Sequence, residues 1–144
     1  MDPLDQSLLM DLVLAIKDGE EERVHQLLTL GVPPDRIDKS SGWSALHASV
    51  LYNTVFLPAL LQRTLNPDAP TVLGGTALSY AVHELGENPS IERQRQLHDA
   101  IGLLRRSGAN PKFGGPDQSA LELSRLYRMP DVEQLLLQSV GGAT

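Results

Sequence analysis

The sequence predicts an all-α fold of stacked helix-turn-helix pairs, and three observations lead there. First, one short pattern occurs three times: a hydroxyl residue stands before Ala-Leu, and small residues follow at helical spacing. It reads Ser44-Ala45-Leu46-His47-Ala48-Ser49, then Thr76-Ala77-Leu78-Ser79-Tyr80-Ala81, then Ser119-Ala120-Leu121-Glu122-Leu123-Ser124. Second, apolar residues recur with a helical period between and after these runs. Third, the segments separating them are rich in Gly, Pro, Asn and Asp, the residues that turn a chain. Of the 144 residues 41% are hydrophobic, enough for a single domain over 1–144 with one continuous core.

Leu8, Leu9, Leu12, Val13, Ala15 and Ile16 form the apolar stripe of a first helix, which Gly19 ends. Glu20, Glu21 and Glu22 open a second, where acidic side chains complement the positive helix end. Val24, Leu27, Leu28 and Leu30 are its apolar face and Gly31 its cap, so residues 7–31 are one helix pair. A loop over Val32–Ser41 leads to Ser44, an N-cap hydroxyl before Leu46, Ser49 and Val50. Asn53 replaces the glycine between helices, because Asn tolerates the left-handed conformation. A second helix of this pair is expected over Phe56–Arg63, with Pro58 near its start.

Asn66–Pro70 is the next loop, and Thr76 caps a helix with Leu78, Ala81 and Val82 facing inward. Gly86–Pro89 turns the chain. Asn88 is the expected N-cap, with Pro89 at the first helical position, of a long helix through Ile91, Leu97, Ile101 and Leu104. Gly108–Pro111 ends it. The last pair starts at Ser119, carries Leu121, Leu123, Ser124 and Leu126, and restarts at Met129-Pro130-Asp131 with Val132, Leu135 and Leu136. Gly141–Thr144 is expected to be a frayed tail, within a flexible segment at 139–144.

The hydroxyl caps at Ser44 and Thr76 stand 32 residues apart, and those at Thr76 and Ser119 stand 43 apart. With this period and these residues, Gly42-Trp43-Ser44-Ala45-Leu46-His47, Gly75-Thr76-Ala77-Leu78 and Gly108-Ala109-Asn110, the chain resembles the ankyrin repeat family. The resemblance covers about residues 7–138. It implies a solenoid of four helix pairs joined by β-turn-like loops, over about 7–37, 38–69, 70–112 and 113–138. The third copy is expanded by about ten residues between Leu85 and Gln96. The sequence departs from the family in two ways. Alanine replaces the proline after each hydroxyl residue, and only the second copy has the histidine, His47, which the resemblance expects to hydrogen-bond between copies.

Several chemistries are excluded by pattern. With no cysteine there is no disulfide, thiolate site or cysteine nucleophile. A net charge of −6 gives no basic footprint for nucleic acid. His83-Glu84 begins like a zinc-protease motif, but Glu87 stands where the second histidine is needed. Gly74-Gly75-Thr76 lacks the lysine of a phosphate loop, and there is no Gly-x-Ser-x-Gly elbow. His25, His47, His83 and His98 fall in different copies. Arg93, Arg95, Arg105 and Arg106 read as a solvated helix face with Glu92 and Asp99. The expectation is therefore a protein without enzymatic activity, cofactor or metal. The acidic start, Met1-Asp2-Pro3-Leu4-Asp5, does not read as a secretory signal, and no apolar run is long enough to span a bilayer. A cytoplasmic monomer is expected.

The remaining function is binding another protein, which the resemblance places on the concave face made by loops and first helices. The candidate contacts are Lys17 and Asp18 in the first copy and Ser40, Ser41, Trp43, Leu51 and Tyr52 in the second. They are Leu73, His83 and Glu84 in the third, and Gln118, Leu126 and Tyr127 in the fourth. Aromatics are 4% of the chain, so the fall of Trp43, Tyr52 and Tyr127 on these positions carries weight. The alternative is a bacterial toxin-neutralising or effector-associated protein, in which the expanded third copy makes the specific contact.

Overall fold

The computed structural model describes residues 5–114 and 119–138; the tail expected at 139–144 lies outside them. Among the described residues the chain is all-helical, with no strand. Helix α1 (Gln6–Asp18) starts at Asp5, whose carboxylate accepts from Ser7 N–H at 2.8 Å. It ends at Gly19, where a φ of 73° lets the chain turn left-handed at no steric cost. Helix α2 (Glu21–Thr29) buries Val24, Leu27 and Leu28. Leu30, expected on that face, is 52% exposed because the helix has already ended there.

Helix α3 (Ala45–Tyr52) is buried almost all round, from Ala45 to Val50. A 3-10 turn at Thr54–Phe56 leads into α4 (Leu57–Leu61), shorter than the helix expected over Phe56–Arg63. The expected left-handed Asn53 is a correction: its φ is −160°, extended backbone. Its N–H closes α3 on Ser49 O, while its carbonyl begins the 3-10 turn by accepting from Phe56 N–H. The chain therefore needs no left-handed residue there.

Helix α5 (Ala77–Gly86) and helix α6 (Ile91–Arg106) form the expanded third pair. Here the expected N-cap moves. Asn88 is left-handed, with φ 58°, and its N–H bonds to Leu85 O as it closes α5. The cap of α6 is Ser90, whose hydroxyl accepts from Arg93 N–H at 3.2 Å. Ile91, the first residue of the helix, is 76% exposed, because the buried stripe of α6 runs through Leu97, Ala100, Ile101 and Leu104. Helices α7 (Ala120–Leu126) and α8 (Pro130–Leu137) complete the described structure. Ser119 Oγ accepts from Glu122 N–H at the start of α7.

The first helices pack in chain order, α1 on α3, α3 on α5 and α5 on α7. Each also packs on the second helix of its own pair. Ala48, Ala81 and Ser124 are fully buried in the first helices, where small side chains allow close approach. Leu46, Leu57, Leu60, Leu78, Ile101 and Leu104 belong to one core cluster, each at most 1% exposed. Burying such side chains contributes about 1.5–3 kcal/mol apiece.

Candidate functional site

Two tight loops precede α3 and α5. In the first, Asp38 N–H donates to Trp43 O at 2.8 Å, and the buried Asp38 carboxylate accepts from Ser40 N–H, Ser41 N–H and Ser41 Oγ. In the second, Thr71 N–H donates to Gly75 O at 2.8 Å, and Thr71 Oγ1 accepts from Leu73 N–H and Gly75 N–H. The two loops touch through Val72 N–H and Gly42 O at 3.4 Å. Gly42 has φ 80°, and a Cβ there would stand 3.0 Å from Val72 Cγ2, so both conformation and neighbour favour glycine.

These loops set out the candidate contacts. Ser40 and Ser41 are exposed at the first tip, although the Ser41 hydroxyl is held by Asp38. Leu73 is 82% exposed at the second. Trp43 is half-buried and its ring leans on Tyr52 from the far end of α3, with centroids 5.9 Å apart. Lys17 Nζ lies 5.3 Å from the centre of the Tyr52 ring, within range of a cation–π contact. Lys17, Trp43 and Tyr52 are thus one cluster, with Asp18 exposed beside Lys17 and Leu51 half-buried beside Tyr52.

A second cluster joins α5 to α7. The Tyr127 hydroxyl donates to Glu87 Oε1 at 3.2 Å and lies 2.9 Å from His83 Nδ1. His83 Nε2 is 3.6 Å from the same Glu87 oxygen. Partial burial, then the Glu87 charge and hydrogen bond, push the Tyr127 hydroxyl above its ordinary pKa. Glu84 is turned to Arg93 at 3.8 Å, and Leu126 is 71% exposed. No hydrogen bond, ion pair or ring contact joins the two clusters among the described residues. Gln118 lies outside the described residues. Among them, no group of His, Asp and Glu could hold a metal ion, and no helix is long and apolar enough to cross a membrane.

No family model matches the chain. Over 101 residues, 69% of this chain, it is 33% identical to a Treponema pallidum (strain Nichols) protein described as ankyrin repeat-containing. The chain belongs to the ankyrin repeat family. It covers 30% of that relative's length.

The ankyrin motif residues are mostly scaffold. His47 is fully buried, and its Nδ1 accepts from Ser44 N–H at 3.0 Å, with Ser44 Oγ 2.8 Å away. That leaves Nε2 as the protonated nitrogen. It has no partner at full hydrogen-bonding geometry, yet the backbone of Gly75 and Ala69 in the next loop lies near enough to favour its charged form. The ring also meets Tyr80 of α5 edge-on, with centroids 5.7 Å apart. The expected link between copies is therefore a packing contact with weak polar support. In the third copy Ser79 does the local half of this work. Its Oγ accepts from Thr76 N–H at 2.8 Å, while Thr76 Oγ1 accepts from Ser79 N–H.

Three features of the loops and their supporting helices were missed in the sequence. Asp38 organises the first loop from a buried position, and its only sequence signal is the 33-residue spacing to Thr71 in the next. Val72 and Phe113 are exposed apolar residues in loops, visible in the sequence as apolar residues among turn formers. Arg93, read as part of a solvated face, sends Nη2 to Val50 O and Leu51 O at 2.6 and 3.3 Å. Arg105 likewise reaches Ala109 O and Gln138 O. Among the described residues only Arg95, 3.6 Å from Glu92, keeps the expected surface pairing.

Proposed function

We propose that this ankyrin-repeat chain is a non-catalytic interaction module. It forms a solenoid of four copies that binds another protein through its loop and first-helix face. The observation that carries the reading is the Lys17–Tyr52–Trp43 cluster, with the exposed Leu73 on the loop that touches the one before Trp43. It is an aromatic anchor with one cation and a neighbouring apolar tip. Trp and Tyr held in place by packing lose little entropy on binding, and such residues dominate measured hot spots. His83, Tyr127 and Leu126 extend the same face into the last two copies. The acidic, cysteine-free composition fits a cytoplasmic monomer.

Titration of Trp43→Ala and Tyr52→Ala variants against a co-purified partner tests this reading. Each is expected to lose about 2 kcal/mol of binding free energy, roughly thirtyfold in Kd. Unchanged affinity in both variants, with the partner still bound, moves the site elsewhere.

A further inference from the structure

The second-helix layer is unevenly filled. α4 has five residues, against nine in α2 and 16 in α6. A cleft of about 540 Å³ lies on each side of it. One separates α2 from α4 and has the buried Val24, Leu28 and Phe56 at its base, with the exposed Ala59 at its edge. The other separates α4 and the 3-10 turn from α6, and Pro58, Ala100 and Leu103 line it together with the polar Asn53, Thr54 and Gln96. Val55 lines both clefts and is 72% exposed, so it stands as an apolar ridge between them.

The charges at these clefts have one sign. Glu21 and Glu22 line the first and Asp99 the second, and no lysine or arginine lines either. None of the three carboxylates belongs to an ion pair among the described residues. Two arginines near the clefts donate to backbone carbonyls and pair with none of these three carboxylates. Arg63 Nη1 donates to Leu28 O, and Arg93 donates to the end of α3. A mainly apolar cleft beside a mixed one, with acidic residues outside any ion pair at both, is complementary to a chain that offers apolar side chains between cations.

We propose that this second-helix face docks a basic segment of a partner protein. The segment lies across Val55, with an apolar side chain in each cleft and Lys or Arg side chains at Glu21, Glu22 and Asp99. The surface differs from the loop and first-helix face. Tyr52 alone belongs to both, since it lines the second cleft and its ring meets Trp43 at a tilt.

A ten-residue peptide of alternating Leu and Lys is the probe. Ser/Lys and Leu/Glu peptides of the same length are the controls. Each is titrated into the isotope-labelled full chain at low salt, where surface charges are least screened. The Leu/Lys peptide should shift the amide resonances of Glu21, Val55 and Asp99, and bind about tenfold more tightly than either control. Val55→Ser and the triple variant Glu21→Gln, Glu22→Gln, Asp99→Asn should each weaken it about fivefold. All four positions are exposed, so the fold is expected to persist, and the shifts in the unmodified chain serve as an independent readout. Three results would overturn the proposal: equal binding of the Ser/Lys peptide, undiminished binding by the variants, or shifts confined to residues 40–43, 73 and 83–84. Failure of the Trp43 and Tyr52 variants to affect a co-purified partner would bear on the other face alone.

Discussion

His47 is the residue where packing and acid–base chemistry meet. Burial lowers its pKa from 6.5 to about 4, against the opposing effect of the Gly75 and Ala69 backbone. Above pH 6.5 the ring is neutral in both folded and unfolded chains and adds no pH dependence. Below that, the unfolded chain binds a proton that the native chain refuses until pH falls to about 4. Stability should therefore drop as pH falls through this window, by up to about 1.4 kcal/mol per pH unit from this group. Urea unfolding at about pH 7 and about pH 5, for the natural chain and His47→Gln, isolates the effect, with the shallower decline expected in the variant. Parallel declines would assign the slope to other groups. Gly86 gives a second prediction at this scale. A Cβ there would collide with the Tyr127 ring. Gly86→Ala should cost about 1–3 kcal/mol although Ala favours helix. In a Tyr127→Ala background the same change should become neutral or stabilising, and a double-mutant cycle by urea unfolding measures this.

At the scale of elements, the loops are tied to one another by carboxylates. Asp35 Oδ2 accepts from Leu65 N–H and Asn66 N–H at 3.1 and 2.7 Å. Asp68, one repeat later, accepts from Asn110 N–H at 2.8 Å. Burial pushes the Asp68 carboxyl up in pKa, while the Asn110 N–H and the Arg105 charge hold it down. Asp68→Ala should destabilise by about 1 kcal/mol, the net worth of a hydrogen bond whose exposed Asn110 N–H can turn to water instead. Asp68→Asn, which keeps an oxygen at that place, should lose less; thermal or urea unfolding of the two variants decides. The expanded third copy is also more than added length. Its α6 begins at Ile91, and Arg93 in the first turn reaches back to the last carbonyls of α3. A cation at a helix C-terminus satisfies open carbonyls and complements the dipole. The enlargement thus contributes to the second copy as well as to its own.

At the scale of the whole molecule, position along the stack should set the cost of a cavity. α5 packs on α3, α6 and α7, whereas α7 packs on α5 and α8. Leu78 of α5 and Leu121 of α7 are both buried, at 0% and 5% exposure. Replacing either with Ala should cost about 2–5 kcal/mol, with Leu78→Ala at the upper end because fewer neighbours there are free to relax. Equal losses in urea unfolding would show that burial alone, and not place in the stack, governs stability.

Features that depend on near neighbours were legible in the sequence. The hydroxyl caps, the glycine stops at Gly19 and Gly31, and the helical spacing of Leu8–Ile16 or Leu97–Leu104 are local, and each is readable without a partner segment. The Trp43–Tyr52 contact is not among them, since Trp43 precedes the cap of α3 and Tyr52 ends that helix. The features that only tertiary structure decided depend on segments distant in the chain. Asn53 stays extended because a 3-10 turn begins on its carbonyl, whereas Asn88 turns left-handed as it closes α5, although both are Asn between two helices. Tyr127 is half-buried because Gly86, 41 residues earlier, leaves room for its ring. The clefts beside Val55 arise from the mismatch between a five-residue helix and longer neighbours. Spacing along the chain sets which face a side chain occupies; whether that face is buried, paired or left open is set by desolvation against elements it meets only in three dimensions.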